Sequence, residues 1–322
     1  MFNKIIITGA AGFVGSHVYD HFSGIYPKAE IVILDKMTYA ADIRNIPNIM
    51  SSPNHMLVVG DVADLDVCLR VTENADLVIH LAAESHVDNS FGNSMIFTKS
   101  NTLGTHALME ACKRNNVKKI IHVSTDEVYG ENTNGIFLED DELNPTNPYS
   151  AAKAGAEMLV KSYFKSFKLP VVTVRANNIY GIRQFPEKII PRFSLRALKG
   201  LPLEVHGNGS NLRHYLAASD FARALELVSI EGSCGEAYNV ASEIELSNLE
   251  MASLINSIVR PDNNEINFTS DRPFNDSRYQ VDDSKIRRLG WKPKNSIIDD
   301  LPGIINWYKL NLARYSNISL EV

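Results

Sequence analysis

Short apolar runs and longer amphipathic stretches alternate along the first 180 positions of the chain. Lys4 to Thr8 is a continuous, β-branched run of the kind that forms a buried strand, and Phe13 to Phe22 then carries helical apolar spacing. Further strands are expected at Glu30–Leu34, ending on Asp35, and at His55–Val59, ending on Gly60-Asp61. Another follows at Asp76–Leu81, ending on Ala82-Ala83. A long helix over about Met95–Asn115 precedes a fifth strand at Lys119–Ser124. Tyr149–Phe167 reads as a helix and Pro170–Arg175 as a sixth strand. Strands alternating with helices of this length predict an α/β fold, a doubly wound parallel sheet with helices on both faces.

From about Gly181 the pattern changes. Pro186, Pro191, Pro202, Gly207 and Gly209 break the chain into short mixed pieces, as expected of a smaller lobe. Val240–Ser242 is expected to return to the main sheet, and Asn248–Val259 and Ile297–Leu312 to be helical. The division expected is a nucleotide-binding domain over 1–180 and a smaller mixed, mainly substrate-binding lobe over 181–322. Residues from about 215 to 245 of that lobe return to the main domain. The polar stretch Glu131–Thr146 reads as a surface excursion.

Composition excludes some partners. With 322 residues and a net charge of −6, the chain shows no basic footprint for nucleic acid or an anionic membrane. An anionic substrate must be captured by local dipoles and a few arginines. Cys68, Cys112 and Cys234 show neither zinc spacing nor a paired framework, which suits a reducing compartment. No apolar run approaches the roughly 20 residues of a spanning helix, and Met1 runs almost directly into a strand. The expectation is a cytoplasmic protein with no membrane contact. His80 and His122 lie in apolar strand runs as core residues, His86 and His206 suit a pocket, and no metal site is expected.

Two motifs carry candidate chemistry. Gly9-Ala-Ala-Gly12-Phe13-Val14-Gly15 sits between a strand and a helix, where glycines let the backbone approach a pyrophosphate resting on the helix N-terminus. Asp35, at the end of the second strand, suits the ribose hydroxyls of NAD and would repel the 2′-phosphate of NADP; Lys36 beside it could offset that repulsion. Asp61 suits the adenine edge. The second motif is Ser124-Thr125-Asp126-Glu127-Val128-Tyr129-Gly130, followed by Tyr149-Ser-Ala-Ala-Lys153. Tyr149 and Lys153 lie one helical turn apart, and an ammonium beside a phenol is expected to lower the phenol's pKa. Asp126 and Glu127 close a buried strand, at the edge where open α/β sheets bind ligands.

Taken with Leu34–Ala40, Gly60–Val62, His80–Asp88, Gln184–Lys188 and Gly290–Pro293, these motifs resemble the extended short-chain dehydrogenase/reductase family. Within it they resemble the nucleotide-sugar 4,6-dehydratases. The resemblance implies a Rossmann-type fold, a tightly held NAD and a homodimer paired through Met95–Asn115 and Tyr149–Phe167. It implies that Tyr149, helped by Thr125 and Lys153, takes the sugar 4-hydroxyl proton while C4 gives hydride to NAD. Glu127 then takes the C5 proton, Asp126 protonates the departing 6-hydroxyl, and the hydride returns to C6. The cofactor set implied is Gly9, Gly12, Phe13, Val14, Gly15, Asp35, Lys36, Asp61, Val62, Ala82, Ala83 and Ser124, with Tyr149 and Lys153. Asn178 matches a position near the substrate pyrophosphate. Lys188, Arg213, Asn248 and Arg272 match the nucleotide end, although Asn248 suits a helix N-cap equally well. Ser85, His86, Ile189, His206 and Asn275 complete the substrate set.

The departures fall on the substrate side. His206-Gly-Asn208-Gly209 stands in place of Tyr-Gly-Asp-Gly, His214-Tyr215-Leu216-Ala217-Ala218 in place of Asp-Trp-Leu-Tyr-Val, and Asn275 in place of a histidine. A UDP-hexose, including UDP-glucose or UDP-N-acetylglucosamine, is therefore as plausible as dTDP-glucose. Two competing functions are a nucleotide-sugar 4-epimerase, which needs no acid and base at C5 and C6, and a non-catalytic NAD-binding scaffold or sensor.

Overall fold

The structure, a computed structural model, describes residues 2–132, 135–262, 265–271 and 274–320. The β-branched runs form the strands β1 (Lys4–Thr8), β2 (Glu30–Asp35), β3 (His55–Val59), β4 (Leu77–His80), β5 (Lys119–Thr125) and β6 (Val171–Ala176). Later strands are β7 (Asn178–Tyr180), β8 (Leu203–His206), β9 (Leu212–Ala217), β10 (Ala237–Val240), β11 (Glu245–Ser247) and β12 (Ile266–Thr269). Seven of them form one parallel sheet in the order β10-β6-β5-β4-β1-β2-β3. The order reverses between β1 and β4, which opens a crevice at the carboxyl ends of those strands.

Both faces of this sheet are covered, so its strands are apolar at successive positions rather than alternating ones. Ile5 and Ile7 of β1 pack with Phe22, Phe221 and Leu225 on one face. Ile6 packs with Val78, Met109 and Ile120 on the other. A separate core, with Phe193, Leu203, Met251, Ile255 and Tyr308, lies in the second half of the chain. There β9 joins β11 antiparallel and β7 parallel, and β8 pairs with β12. Only Asn177 separates β6 of the large sheet from β7 of the small one.

Three features depart from the sequence pattern. The expected helix Met95–Asn115 is helical throughout, but Thr98–Leu103 is wound as a π-helix between Ser94–Phe97 and Gly104–Arg114. Asn101 in that stretch is buried, and its amide bonds both the backbone N–H (2.8 Å) and the carbonyl (3.0 Å) of Glu84. The stretch Glu131–Thr146 lies at the surface, its described residues exposed or half-buried, but it is pinned there rather than free. Phe137 stacks on Tyr129 with centroids 4.9 Å apart, and its backbone bonds Gln280 and Asp282. The segment expected back in the main sheet joins it a few residues early, as β10.

A buried ion pair holds the sheet to the helix that carries Tyr149 and Lys153. Arg175, on β6, donates to the Glu157 carboxylate at 2.6 Å, to the Tyr129 hydroxyl at 2.6 Å and to the Glu139 carbonyl at 2.9 Å. The two charged side chains are 7% and 4% exposed. Removing one partner of such a pair leaves an uncompensated buried charge, which costs several kcal/mol. Glu157→Leu is therefore expected to lower unfolding stability by about 3 kcal/mol in denaturant titration. The double variant Arg175→Met/Glu157→Leu should recover much of that loss. Equal destabilisation by the single and double variants would show that the pair's charge is not what matters.

Candidate active site

The crevice between β1 and β4 opens into a cleft of about 310 Å³ lined by residues of both halves of the chain. Its floor is the Gly9–Gly15 turn. Gly9 has φ +75°, and a Cβ there would lie 2.8 Å from the Ala82 backbone. A Cβ on Gly15 would lie 2.3 Å from the Gly9 carbonyl, so only glycine closes this turn. The helix Phe13–Ile25 begins here with no side-chain cap and no acidic residue in its first turn. Its N–H groups are thus left for an anion. Asp35 stands at the end of β2 with its carboxylate fixed by the Ala11 N–H (2.9 Å) and the Met37 N–H (2.8 Å). Lys36 Nζ pairs with Asp61 at 2.9 Å. Lys36, a cation that could have welcomed a 2′-phosphate, is thus engaged elsewhere, while Asp35 lines the cleft. These residues fit NAD. Val62, Ala82, Ala83 and Ser124 line the same cleft.

Local structure explains where the candidate catalytic groups stand. Thr125 ends β5 and caps a 3₁₀ turn, Asp126–Tyr129, by accepting the Glu127 N–H. The helix Pro148–Phe167 starts from a capping box between Asn147 and Ser150 with proline in its first turn. Tyr149 and Lys153 therefore project from a rigid helix beginning, and Thr125, Asp126, Glu127, Tyr149 and Lys153 all line the cleft.

Burial dominates the protonation of this group. It raises Asp126, opposed by hydrogen bonds from Asn177 (2.8 Å) and Thr125 (3.1 Å). Glu127 is pushed up to about 7, first by burial and then by the Asp126 charge. Lys153 is brought down to about 8 by burial, and its ammonium donates to the Val123 carbonyl at 2.6 Å. Tyr149 departs from expectation. Its pKa lies well above the usual value for a phenol because the ring is buried and Glu127 is nearby, and only the Thr125 hydrogen bond works the other way. Lys153 does not lower it. The sequence spacing showed the pair on one helix face but not the carboxylate opposite it.

The substrate-side candidates gather where this cleft continues toward the second half of the chain. Ser85, Asn178 and Lys188 line the first part, and Lys188 Nζ donates to the Ser85 carbonyl at 2.6 Å. His86, Ile189, His206, Arg213, Asn248 and Asn275 line a connected pocket of about 140 Å³ that shares Glu127, Asn178 and Lys188 with it. Arg213 lies over the Tyr279 ring, 4.9 Å from its centroid, and reaches Asn275 Oδ1 at 3.3 Å. Arg272 lies outside the described residues. Asn248 is not the N-cap of its helix: Ser247 caps Asn248–Val259 in a capping box with Glu250. Asn248 is thus left on the pocket wall.

Sequence reasoning missed several residues that the fold brings here. Asn177 holds Asp126, Glu187 accepts from the Tyr39 hydroxyl (2.8 Å), and Asp276 accepts from Tyr279 beside Glu127. Asn177 stood next to a residue already singled out. Asp276 and Tyr279 lie in no motif that spacing reveals. His80 is satisfied by Thr8 (2.8 Å) and Thr105 (3.0 Å), whereas His122 is buried with neither ring nitrogen partnered among the described residues. No group of metal-ligating side chains, and no helix long and apolar enough to cross a membrane, occurs among the described residues.

A family profile described as GDP-mannose 4,6 dehydratase matches residues 6–301. A trifunctional UDP-glucose 4,6-dehydratase/3,5-epimerase/reductase of Arabidopsis thaliana is 48% identical over 98% of this chain. This chain spans about half of that protein, 48% of its length. A dTDP-D-glucose 4,6-dehydratase of Dictyostelium discoideum is 40% identical over 99% of this chain and 84% of its own. Among solved structures, a dTDP-glucose 4,6-dehydratase of Streptomyces venezuelae with NAD bound superposes with a TM-score of 0.93 at 35% identity. That match covers 97% of this chain and 98% of the other. A UDP-glucose 4-epimerase of Thermotoga maritima gives 0.88 at 27% identity, covering 96% and 99%.

The glycine turn yields a direct test. Gly15→Ala should fold with an unchanged circular dichroism spectrum but fail to retain NAD through gel filtration, read as nucleotide released on denaturation. Full retention of NAD would show that this turn does not hold the cofactor.

Proposed function

The chain belongs to the GDP-mannose 4,6 dehydratase family of extended short-chain dehydrogenase/reductases, and we propose that it dehydrates a UDP-hexose, UDP-glucose foremost, to the 4-keto-6-deoxy sugar. The carrying observation is that Asp126 and Glu127 share one cleft with Tyr149 and Lys153. A Tyr/Lys pair alone serves an alcohol oxidation; two further carboxylates at raised pKa have work only where a proton leaves one carbon and a hydroxyl leaves the next. This speaks against the 4-epimerase reading and against an idle scaffold. NAD is the cofactor, and when bound it takes hydride from C4 and gives it back at C6.

The chain's own groups move the protons. Tyr149 receives the 4-hydroxyl proton as its phenolate, which the positive nicotinamide ring of a bound NAD would favour against the nearby Glu127 charge, with Thr125 and Lys153 at hand. Glu127 takes the C5 proton, which the 4-ketone has acidified. Asp126, whose carboxyl pKa burial raises, delivers a proton to the leaving 6-hydroxyl, so water departs. Lys188 and Arg213 offset the carboxylate charge and meet the diphosphate. The preference for uracil rests on the greater identity to the relative whose name carries UDP-glucose, and on the departures at His206, Asn208 and Asn275. Residues 1–180 hold NAD and the following lobe holds the nucleotide. A homodimer through the helical stretches Met95–Asn115 and Tyr149–Phe167 is supported by the exposed apolar side chains of Met95 and Leu103 on the first and Met158 and Phe167 on the second. The unpaired cysteines suit the cytoplasm.

Glu127→Gln separates the steps. Mixed with UDP-glucose in a single turnover, it should still oxidise C4, so the reduced-nicotinamide absorbance builds up. Loss of water, read by mass, should fall by roughly 10²–10⁴-fold, the usual cost of a lost general base. Normal dehydration by this variant would remove the dehydratase assignment.

The pH profile follows from the same groups. Below about 7 Glu127 carries a proton and cannot accept another, and above about 8 Lys153 loses its charge. The kcat/KM for dehydration should therefore rise through the first value and fall through the second. A flat profile across that range would show that neither group titrates in the rate-limiting chemistry.

A further inference from the structure

Behind Asp126 a line of hydrogen bonds leads away from the cleft through Asn177 and the Ser242 backbone to His214. Asp126 Oδ2 accepts from Asn177 Nδ2 at 2.8 Å, and Asn177 Oδ1 accepts from the Ser242 backbone N–H at 3.2 Å. The Ser242 carbonyl lies 3.0 Å from His214 Nδ1. The other ring nitrogen of His214 lies 3.2 Å from Glu245 Oε1 without a hydrogen bond between them, and Arg278 grips that carboxylate with two bonds of 2.7 and 3.0 Å. Asn177 and His214 are both buried. The line starts at the one residue between β6 and β7, passes the loop after β10, and ends on β9. It therefore spans the joint between the two sheets.

The donors and acceptors along it run in one direction. A carbonyl only accepts, so His214 donates from Nδ1. The Ser242 N–H only donates, so the Asn177 amide cannot flip without setting two donors face to face and two acceptors against each other. Asn177 is thus committed to donating to Oδ2 of Asp126. Oδ1 accepts from the Thr125 hydroxyl (3.1 Å), which, unlike the fixed amide, can turn to accept instead, so a proton held by Asp126 sits on Oδ1. The aspartate that stands in the place of His214 in the resembling dTDP-glucose enzymes has no donor for the Ser242 carbonyl. This part of the line is a property of this chain's own sequence.

We propose that Asn177 and His214, joined through the Ser242 backbone, are positioning residues for Asp126. They fix which carboxyl oxygen carries the proton given to the leaving 6-hydroxyl. The inference rests on the dehydratase reading above and adds to it residues that act through Asp126.

The test uses NAD-loaded enzyme in single turnovers with UDP-glucose, following the reduced-nicotinamide absorbance and the mass of the product. His214→Leu and Asn177→Ala should each slow loss of water about tenfold, the scale of one lost buried hydrogen bond. C4 oxidation and KM should stay unchanged, so the reduced cofactor accumulates. His214→Asn, which keeps a donor near the Nδ1 position, should restore most of the rate. A UDP-glucose analogue with fluorine in place of the 6-hydroxyl needs little proton assistance to depart, and with it the variants should come within about twofold of the parent. The proposal is overturned if both phases slow together, if the fluoro analogue shows the same deficit, or if His214→Leu loses water at the parent rate while Asp126→Asn is slow. Parent-rate water loss by Asp126→Asn would instead overturn the role of Asp126 itself.

Discussion

The Arg175 guanidinium is the constraint around which the catalytic half of the molecule is arranged. A charge buried in the middle of β6 must be neutralised and fully hydrogen-bonded, or the sheet cannot hold it. Its partners come from four places: Glu157 on the Tyr149 helix, Tyr129 at the end of the Asp126–Glu127 turn, the Glu139 carbonyl, and Asn239 of β10 through the Tyr129 hydroxyl (2.8 Å). Satisfying one cation thereby sets the spacing between the turn that bears the two carboxylates and the helix that bears the tyrosine and lysine. Glu157 also lies one turn beyond Lys153. Its attraction for the ammonium is outweighed by burial, and Lys153 stays near 8.

Desolvation, more than ion pairing, tunes the cleft. Asp126, Glu127 and Glu84 are all raised with burial as the first cause, and Tyr149 follows them. Cations are few and set apart: Lys36 is held by Asp61, and Lys188 and Arg213 stand toward the nucleotide side. A protein with net negative charge can still receive an anionic substrate here because its carboxyls are partly neutral, and neutral carboxyls are also the ones able to give protons.

Much of this was legible in the sequence because it is local. The glycine turn, Asp35 at a strand end and the Tyr149/Lys153 spacing each declare themselves within a few residues. The first six strands of the large sheet were placed to within a residue or two, since two buried faces leave continuous apolar runs. What stayed hidden depends on partners far along the chain. Phe137 reads as part of a polar excursion until Tyr129 and the Gln280–Asp282 backbone are placed beside it. The protonation of Tyr149 is set by burial and then by Glu127, and Asn177 gains its meaning only from Ser242. Asn248 suited a cap until Ser247 and Glu250 were seen to form one.

The π-wound stretch Thr98–Leu103 bears on how the gene can change. Its extra residue is what lets Asn101 reach the Glu84 backbone while the helix Gly104–Arg114 stays packed against the sheet. Deleting one codon there would return the helix to regular winding and rotate everything after it by about 100° relative to what precedes. The buried face of Leu108, Met109 and Cys112 would turn toward water. Descendants of this sequence can exchange the outward side chains of the stretch freely, but its length is inherited as a unit.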